Sequence, residues 1–259
     1  MRMGILRSLI LAFGFLTILP VPARFTFGAD DGRRAVAAYP LVGLVLGLLM
    51  AGLFSLLADA PELIRAAMVL LAWLVLTGAL HFDGFCDMAD AALAPRTHEE
   101  RRRIAKDPNV GSFALAAGVM LLLIKFALLA SLPPDGGWAW LIAIPLLART
   151  WIVVPMALFP VYPESQWGKS AKPRPAGMVV PLLVGIVLAG AGVISAALPP
   201  VSMLVLASGG LLAMLGSSGW MYRRLGGLAG DGYGAAVEIG ELAMLAMAAT
   251  ILLGSLFPQ

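Results

Sequence analysis

The sequence predicts an all-α protein, a polytopic integral membrane helical bundle, and three observations carry that prediction. Of the 259 residues 60% are hydrophobic and 13% charged, at a mean hydropathy of +0.92, far from the balance of a soluble domain. The apolar residues gather into runs close to the roughly 20 needed for a helix to cross a bilayer. The basic residues gather into alternate loops. With no linker of low complexity and no internal repeat, residues 1–259 read as one membrane-embedded domain.

Seven runs are long enough to be read as spans: Ala37–Leu57, Leu63–Leu80, Phe113–Leu132, Trp138–Leu158, Met178–Leu198, Val201–Met221 and Ala235–Phe257. The first run, Ile5–Leu19, is shorter and interrupted by Arg7, so it is either an eighth span or an interfacial helix. Read differently, Arg2, Arg7, the apolar run and Val21-Pro22-Ala23 have the layout of a secretory signal. Glycines inside the spans, Gly43, Gly47, Gly185 and Gly190, are expected at helix contacts, because small residues let membrane helices approach closely.

Loop 20–36 carries Arg24, Arg33 and Arg34, and loop 81–112 carries Arg96, Arg101, Arg102, Arg103 and Lys106. Lys169, Lys172 and Arg174 lie in loop 159–177, and Arg223 and Arg224 in loop 222–231, whereas the intervening connections hold no Lys or Arg. That alternation places the basic loops in the cytoplasm. Arg65 alone breaks the pattern. The same orientation explains a net charge of +3 and a pI of 9.3 without nucleic acid as a partner. One cysteine, Cys86, excludes an internal disulfide.

The chemistry-bearing segment is His81-Phe-Asp-Gly-Phe-Cys-Asp-Met-Ala-Asp90. As a helix it puts Asp83, Asp87 and Asp90 within a wedge of about 60°. Three anions on one stripe repel. A divalent cation relieves the repulsion, and oxygen-only ligands favour Mg²⁺, Mn²⁺ or Ca²⁺ over zinc; the alternative is a solvated helix face neutralised by Arg101–Arg103 and Lys106. Gly84 disfavours helix by about 1 kcal/mol relative to Ala and would let a phosphate or metal approach the backbone. His81, about 160° around from Asp83, would not share the metal; it is a polar cap or a proton-transfer and substrate-binding residue.

Lys106-Asp107-Pro108-Asn109 follows a short charged helix. Lys106 is either a phosphate contact or a positive-inside anchor, and Asp107 and Asn109 are site candidates beside it. Lys125, Arg149, Glu238 and Glu241 fall inside apolar runs, where ion pairing among them would account for all four. The other reading makes Arg149 and Lys125 substrate contacts, and sets Asp231 and Glu238 against the first cluster as metal ligand and base. Gly226, Gly227 and Gly230 form a permissive turn where backbone could meet phosphate.

Taken together these segments resemble a known family, the cobalamin synthases or adenosylcobinamide-GDP ribazoletransferases. The matching stretches are Phe15-Leu16-Thr17 with Pro20-Val21-Pro22, Tyr39-Pro40-Leu41-Val42-Gly43, His81-Phe82-Asp83-Gly84 with Asp87 and Asp90, Lys106-Asp107 with Val110-Gly111, and Gly230-Asp231 with Gly234-Ala235, Glu238 and Glu241. Ala91 and Ala229 depart from the family's usual glycine and threonine, and no carboxylate is lost. The resemblance implies a Mg²⁺-dependent enzyme of the bacterial inner membrane with a cytoplasmic active site. It would join adenosylcobinamide-GDP to α-ribazole, or its 5′-phosphate, and release GMP.

On that resemblance Asp83, Asp87, Asp90 and Asp231 hold metal, and Asp90 or Glu238 takes the hydroxyl proton, with Lys106 and Asp107 also at the reacting centre. His81, Arg149, Lys125, Asn109 and Gly230 would contact substrate. A CDP-alcohol phosphotransferase is a second enzyme reading, although its fuller aspartate signature is absent. A cation-coupled transporter is a third, against which stands the concentration of charge at one membrane boundary rather than at the midplane. Oligomeric state is left open, a homo-oligomer included.

Overall fold

Two residues of left-handed backbone decide where the acidic stripe goes. In the computed structural model, which describes residues 2–20, 31–162, 165, 169, 171–194 and 198–256, the helix Glu62–Leu76 ends at Gly78 (φ 59°) and Ala79 (φ 54°). The Gly78 and Ala79 amides donate to the Val75 and Leu74 carbonyls, the paired bonds of a Schellman ending. The chain then turns by 87° into the helix Leu80–Leu93. The expected span Leu63–Leu80 is therefore cut short by a C-terminal glycine, and His81–Asp90 starts a new direction.

The helices are α1 (Arg2–Leu16), α2 (Asp31–Ala35), α3 (Tyr39–Leu56), α4 (Glu62–Leu76), α5 (Leu80–Leu93), α6 (His98–Ile104), α7 (Ser112–Ala130), α8 (Gly137–Trp151), α9 (Val153–Leu158), α10 (Pro175–Ile194), α11 (Pro200–Leu225) and α12 (Gly230–Leu256). A 3-10 turn, Val36–Ala38, joins α2 to α3. Among the described residues the only strand-like pairing is an isolated bridge between Val161 and Leu228.

Among the described residues five helical stretches are long and apolar enough to cross a membrane: Gly32–Leu56, Ser112–Ala130, Gly137–Leu158, Pro200–Leu225 and Gly230–Leu252. The bent pair α4–α5 would make a sixth if taken as one broken span. The all-helical membrane class is as predicted, and the described residues, with five such helices or six counting the bent pair, do not confirm the count of seven. Gly78 divides one expected span, and of the expected Met178–Leu198 residues 195–197 lie outside the described residues, which leaves Gly177–Ala191 as the apolar helix found in α10. Of the Ile5–Leu19 run, α1 takes in the part up to Leu16, and its described apolar stretch, Leu6–Leu16, is below spanning length. Leu11, Ala12 and Leu16 bury it in the common core; Val21-Pro22-Ala23 lies outside the described residues.

The expected glycine contacts hold at three of four positions. A Cβ on Gly47 would lie 2.7 Å from Ile142 Cα, Gly43 meets the backbone of Pro145 and Leu146, and Gly185 meets Thr150, while Gly190 faces open space. The basic connections draw together at one end. Arg101 Nη1 and Arg102 Nη1 donate to the Arg224 and Leu225 carbonyls at 2.8 and 2.9 Å, and Arg224 Nε donates to Ala92 O at 2.8 Å. Cations thereby satisfy carbonyls that a helix C-terminus leaves orphaned. Arg65, the exception to the charge pattern, is buried at 1% exposure. Its guanidinium stacks 4.7 Å from the Phe54 ring centroid and donates to Ala58 O and Leu132 O at 3.1 and 3.5 Å. It staples the two connections at the other end.

Candidate active site

The predicted helix over the stripe is present, so Asp83, Asp87 and Asp90 do share a face of α5, Asp83 exposed and the other two half-buried. They do not play equivalent parts. Asp90 Oδ2 accepts from Gly111 N at 2.6 Å and its Oδ1 from Ala114 N at 2.9 Å. The N-cap residue of α7 is Gly111, which has no side chain to cap with, so a carboxylate from a neighbouring helix supplies the missing acceptor. A Cβ on Gly111 would stand 2.5 Å from Asp90 Oδ1. Glycine there is a condition of the contact.

Gly84 has an analogous use. A Cβ on it would lie 2.9 Å from both Cα and O of Asp231. Gly234 lies opposite, its would-be Cβ 3.3 Å from His81 Cα. The two glycines let α5 and α12 cross in backbone contact, which occupies the approach that Gly84 was expected to leave to a phosphate or metal. The crossing brings Asp231 to the stripe: Asp87 is repelled by Asp83, Asp231 and Asp90, and Asp231 by Asp83, with Lys106 the attracting charge on Asp231. The turn glycines also serve packing, Gly226 (φ 75°) beside His98 and Gly227 against Tyr162.

Arg101–Arg103 are not held by the stripe. Arg101 and Arg102 bind helix carbonyls, and Arg103 pairs with Glu99 at 3.1 Å. Asp83, Asp87 and Asp231 thus lie within electrostatic reach of one another, with Lys106 on the Asp231 side and Asp90 turned to the start of α7. All donors in the set are carboxylate oxygens, which fits a hard divalent cation rather than a thiophilic one. The arrangement is open: among the described residues no three His, Cys, Asp or Glu side chains converge closely enough to hold a metal as they stand.

Beside this cluster is a cavity of about 430 Å³ at the end of the bundle where the basic connections meet. His81, Arg149, Lys106, Gly230 and Asp231 line it together with Phe15, Leu16, Tyr39, Met156, Tyr162 and Tyr233. His81 lies away from the aspartate stripe, as its angle on the helix predicts, with Nδ1 3.4 Å from Arg149 Nη2. Arginine can only donate, so Nδ1 is the accepting nitrogen.

Behind the cavity wall the intramembrane charges pair. Lys125 Nζ donates to Glu238 Oε2 and, at 2.8 Å, to Glu241 Oε2, and Arg149 Nη1 donates to Glu241 Oε1. Lys125 also sits 4.8 Å from the Trp73 ring centroid. Two cations and two carboxylates make a neutral set, the form in which charge is tolerated at membrane depth. Lys125 and Glu238 belong to this lattice and are absent from the cavity lining; Arg149 belongs to both. Asp107 and Asn109 stand apart on the exposed connection. Asn109 donates its backbone and side-chain N–H to Asp107 Oδ1 at 2.9 and 2.8 Å, and these bonds hold the Asp107 carboxyl below the usual carboxylate range.

Phe15, Leu16, Tyr39, Met156, Tyr162 and Tyr233 received no role from the sequence. A signal was present for some of them: Phe15-Leu16 and Tyr39 belong to stretches that carry the family resemblance, and Tyr233 lies between the glycines of Gly232-Tyr-Gly234.

A helical membrane protein with a carboxylate cluster next to a cation-bearing cavity is the class that fold and site define. The cobalamin-5-phosphate synthase family matches residues 8–249, and the chain belongs to that family. An adenosylcobinamide-GDP ribazoletransferase of Deinococcus radiodurans is 38% identical over 241 residues, 92% of this chain and 84% of that protein. Proteins of the same description from Pseudomonas paraeruginosa and Brevibacillus brevis are each 36% identical, covering 93% and 90% of this chain and 96% and 94% of their own. No solved structure matches the chain.

Proposed function

We propose that this chain transfers the adenosylcobinamide phosphate group of adenosylcobinamide-GDP to α-ribazole or its 5′-phosphate, releasing GMP, at the cytoplasmic face of the bacterial inner membrane. The observation that carries the reading is the backbone contact of Gly84 in α5 with Asp231 in α12, which sets the stripe of Asp83 and Asp87 beside the one aspartate that lines the cavity, in a chain of this family. The basic connections gathered at that end support the cytoplasmic orientation.

In the reaction an acceptor hydroxyl attacks the phosphorus on the cobinamide side of the pyrophosphate. The new P–O bond forms as the bond to GMP breaks, GMP keeps the electron pair, and the hydroxyl gives up its proton. Transfers of this kind depend on in-line positioning and charge stabilisation. Asp83 and Asp87 would hold Mg²⁺, which when bound supplies charge neutralisation at the pyrophosphate and the leaving oxygen. Asp231, the carboxylate that both faces the stripe and lines the cavity, takes the hydroxyl proton at a carboxylate oxygen. Lys106 sets an ammonium at the cavity for a phosphate oxygen. Asp90 and Glu238, the bases expected from sequence, serve by holding α7 and Lys125 in place.

Mass spectrometry of the products formed by purified protein tests the reading. Adenosylcobinamide-GDP with α-ribazole should yield GMP and the joined corrinoid. CMP release from a CDP-activated donor would favour the CDP-alcohol phosphotransferases instead, and uptake into sealed vesicles without chemical change would favour transport.

A further inference from the structure

We propose that His81 is a catalytic hydrogen-bond donor to a phosphoryl oxygen of the transferred group, and that the buried chain Lys125, Glu241, Arg149 fixes its imidazole in the donating tautomer. The assignment rests on the transfer reading above. It gives the intramembrane lattice a part in the reaction that charge neutrality alone does not ask of it.

The chain of contacts runs from α7 to the cavity. Lys125 Nζ donates to Glu241 Oε2 at 2.8 Å and Arg149 Nη1 donates to Oε1, so a different cation engages each oxygen of a fully buried carboxylate. The guanidinium held in this way turns Nη2 to His81 Nδ1 at 3.4 Å. Arginine has no acceptor, and a neutral imidazole carries its proton on one nitrogen only. With Nδ1 accepting, the proton sits on Nε2, the usual way in which a partner on one ring nitrogen sets the state of the other. His81 is 5% exposed and lines the cavity. No described residue engages Nε2, and it is not one of the sealed side-chain atoms that lack a partner, so the donor edge of the ring opens on the cavity.

A ring so arranged has no lone pair free to take the hydroxyl proton, which falls to Asp231, the carboxylate on the cavity wall. The crossing of α5 and α12 sets donor and base side by side. Gly234 admits the His81 backbone, its would-be Cβ 3.3 Å from His81 Cα, and Gly84, three residues along α5, meets Asp231, three residues back along α12. The two positions are therefore offset by about one helical turn, roughly 5 Å. The hydroxyl beside Asp231 and the phosphorus it attacks become bonded, so the phosphoryl oxygens pass within reach of the neighbouring donor. Charge at those oxygens is what a preorganised N–H stabilises. His81 forms and breaks no covalent bond.

Two measurements on the purified full-length protein in detergent test the proposal. The chain has two histidines, His81 and His98, so long-range ¹H–¹⁵N correlation on ring-labelled wild type and His98→Gln assigns the His81 ring. It should show one tautomer with the proton on Nε2, and Glu241→Gln, which removes an acceptor from the chain, should mix the two tautomers. In steady-state GMP release His81→Phe, which keeps a flat ring and deletes the donor, should lower kcat by about 10²–10³-fold, the factor for one lost donor at a developing anion, with both substrate KM values nearly unchanged. His81→Gln, which restores a side-chain N–H, should recover part of that loss. These His81 variants and the wild-type spectrum leave the buried charges in place. A proton on Nδ1 in wild type, or a single unchanged tautomer in Glu241→Gln, would overturn the lock. Undiminished kcat in His81→Phe, a rise in KM in place of the fall in kcat, or His81→Gln no better than His81→Phe would overturn the donor role while leaving the transfer reading intact. Wild type that shows the Nε2 proton yet releases no GMP would overturn the transfer reading and the donor role with it.

Discussion

Gly84 of α5 and Asp231 of α12 are in backbone contact, so close that a single added Cβ would stand 2.9 Å from the Asp231 Cα. The contact joins the acidic stripe to the last helix and sets the distance between their carboxylates. Gly84→Val should therefore push the helices apart, destabilising the fold by about 1–3 kcal/mol as overpacking does. It should also remove most of the GMP release, because Asp231 moves away from Asp83 and Asp87. Thermal unfolding in detergent and the release assay read the two effects; a variant with full activity would show that the crossing does not set the site.

Asp90 and Asp87 lie on one helical face yet should respond oppositely to the same change. Asp90→Ala deletes the acceptor for two amides at the start of α7 and should lower stability by about 0.5–2 kcal/mol, the range for losing an N-cap. Asp87→Asn relieves repulsion from Asp83, Asp231 and Asp90 and should leave the unfolding midpoint unchanged or higher while activity falls. Equal destabilisation of both variants would contradict the division of labour.

The lattice of Lys125, Arg149, Glu238 and Glu241 is neutral only as a whole. Lys125→Met leaves Glu238 without its cation and Glu241 with one fewer, and should destabilise by about 3–5 kcal/mol, as for one lost member of a buried pair. Adding Glu238→Gln should restore part of that loss. A double-mutant cycle in detergent measures it, and additive losses would mean the two side chains do not act together.

Ala79 holds φ 54° without being glycine. The left-handed conformation costs an L-residue about 1–2 kcal/mol, so Ala79→Gly should raise the unfolding midpoint without altering the 87° turn or the activity. A lower midpoint would mean that the methyl group contributes packing that outweighs the strain.

Most of the fold was legible because its signals are local. The apolar runs, the alternation of basic loops and the 3.6-residue spacing of Asp83, Asp87 and Asp90 depend on nothing remote in the chain. The bend after α4 was also local, written in Thr77-Gly78, yet an apolar run that continues to Leu80 hides it. The site was legible in its members and less so in their roles. That Asp90 caps α7, that Gly84 serves a helix crossing, and that Lys125 faces Glu238 across 113 positions are all tertiary facts. Tyr233 and Tyr39 read as ordinary apolar residues until the cavity groups them.

Mg²⁺-dependent release of GMP from adenosylcobinamide-GDP and α-ribazole, compared between wild type, Asp87→Asn and Asp231→Asn at matched stability, tests the central claim most directly. Wild type should require the metal, Asp87→Asn should need far more of it and turn over slowly, and Asp231→Asn should lose turnover at every metal concentration. Full turnover by either variant, or release that is indifferent to Mg²⁺, would contradict a carboxylate-cluster phosphotransferase.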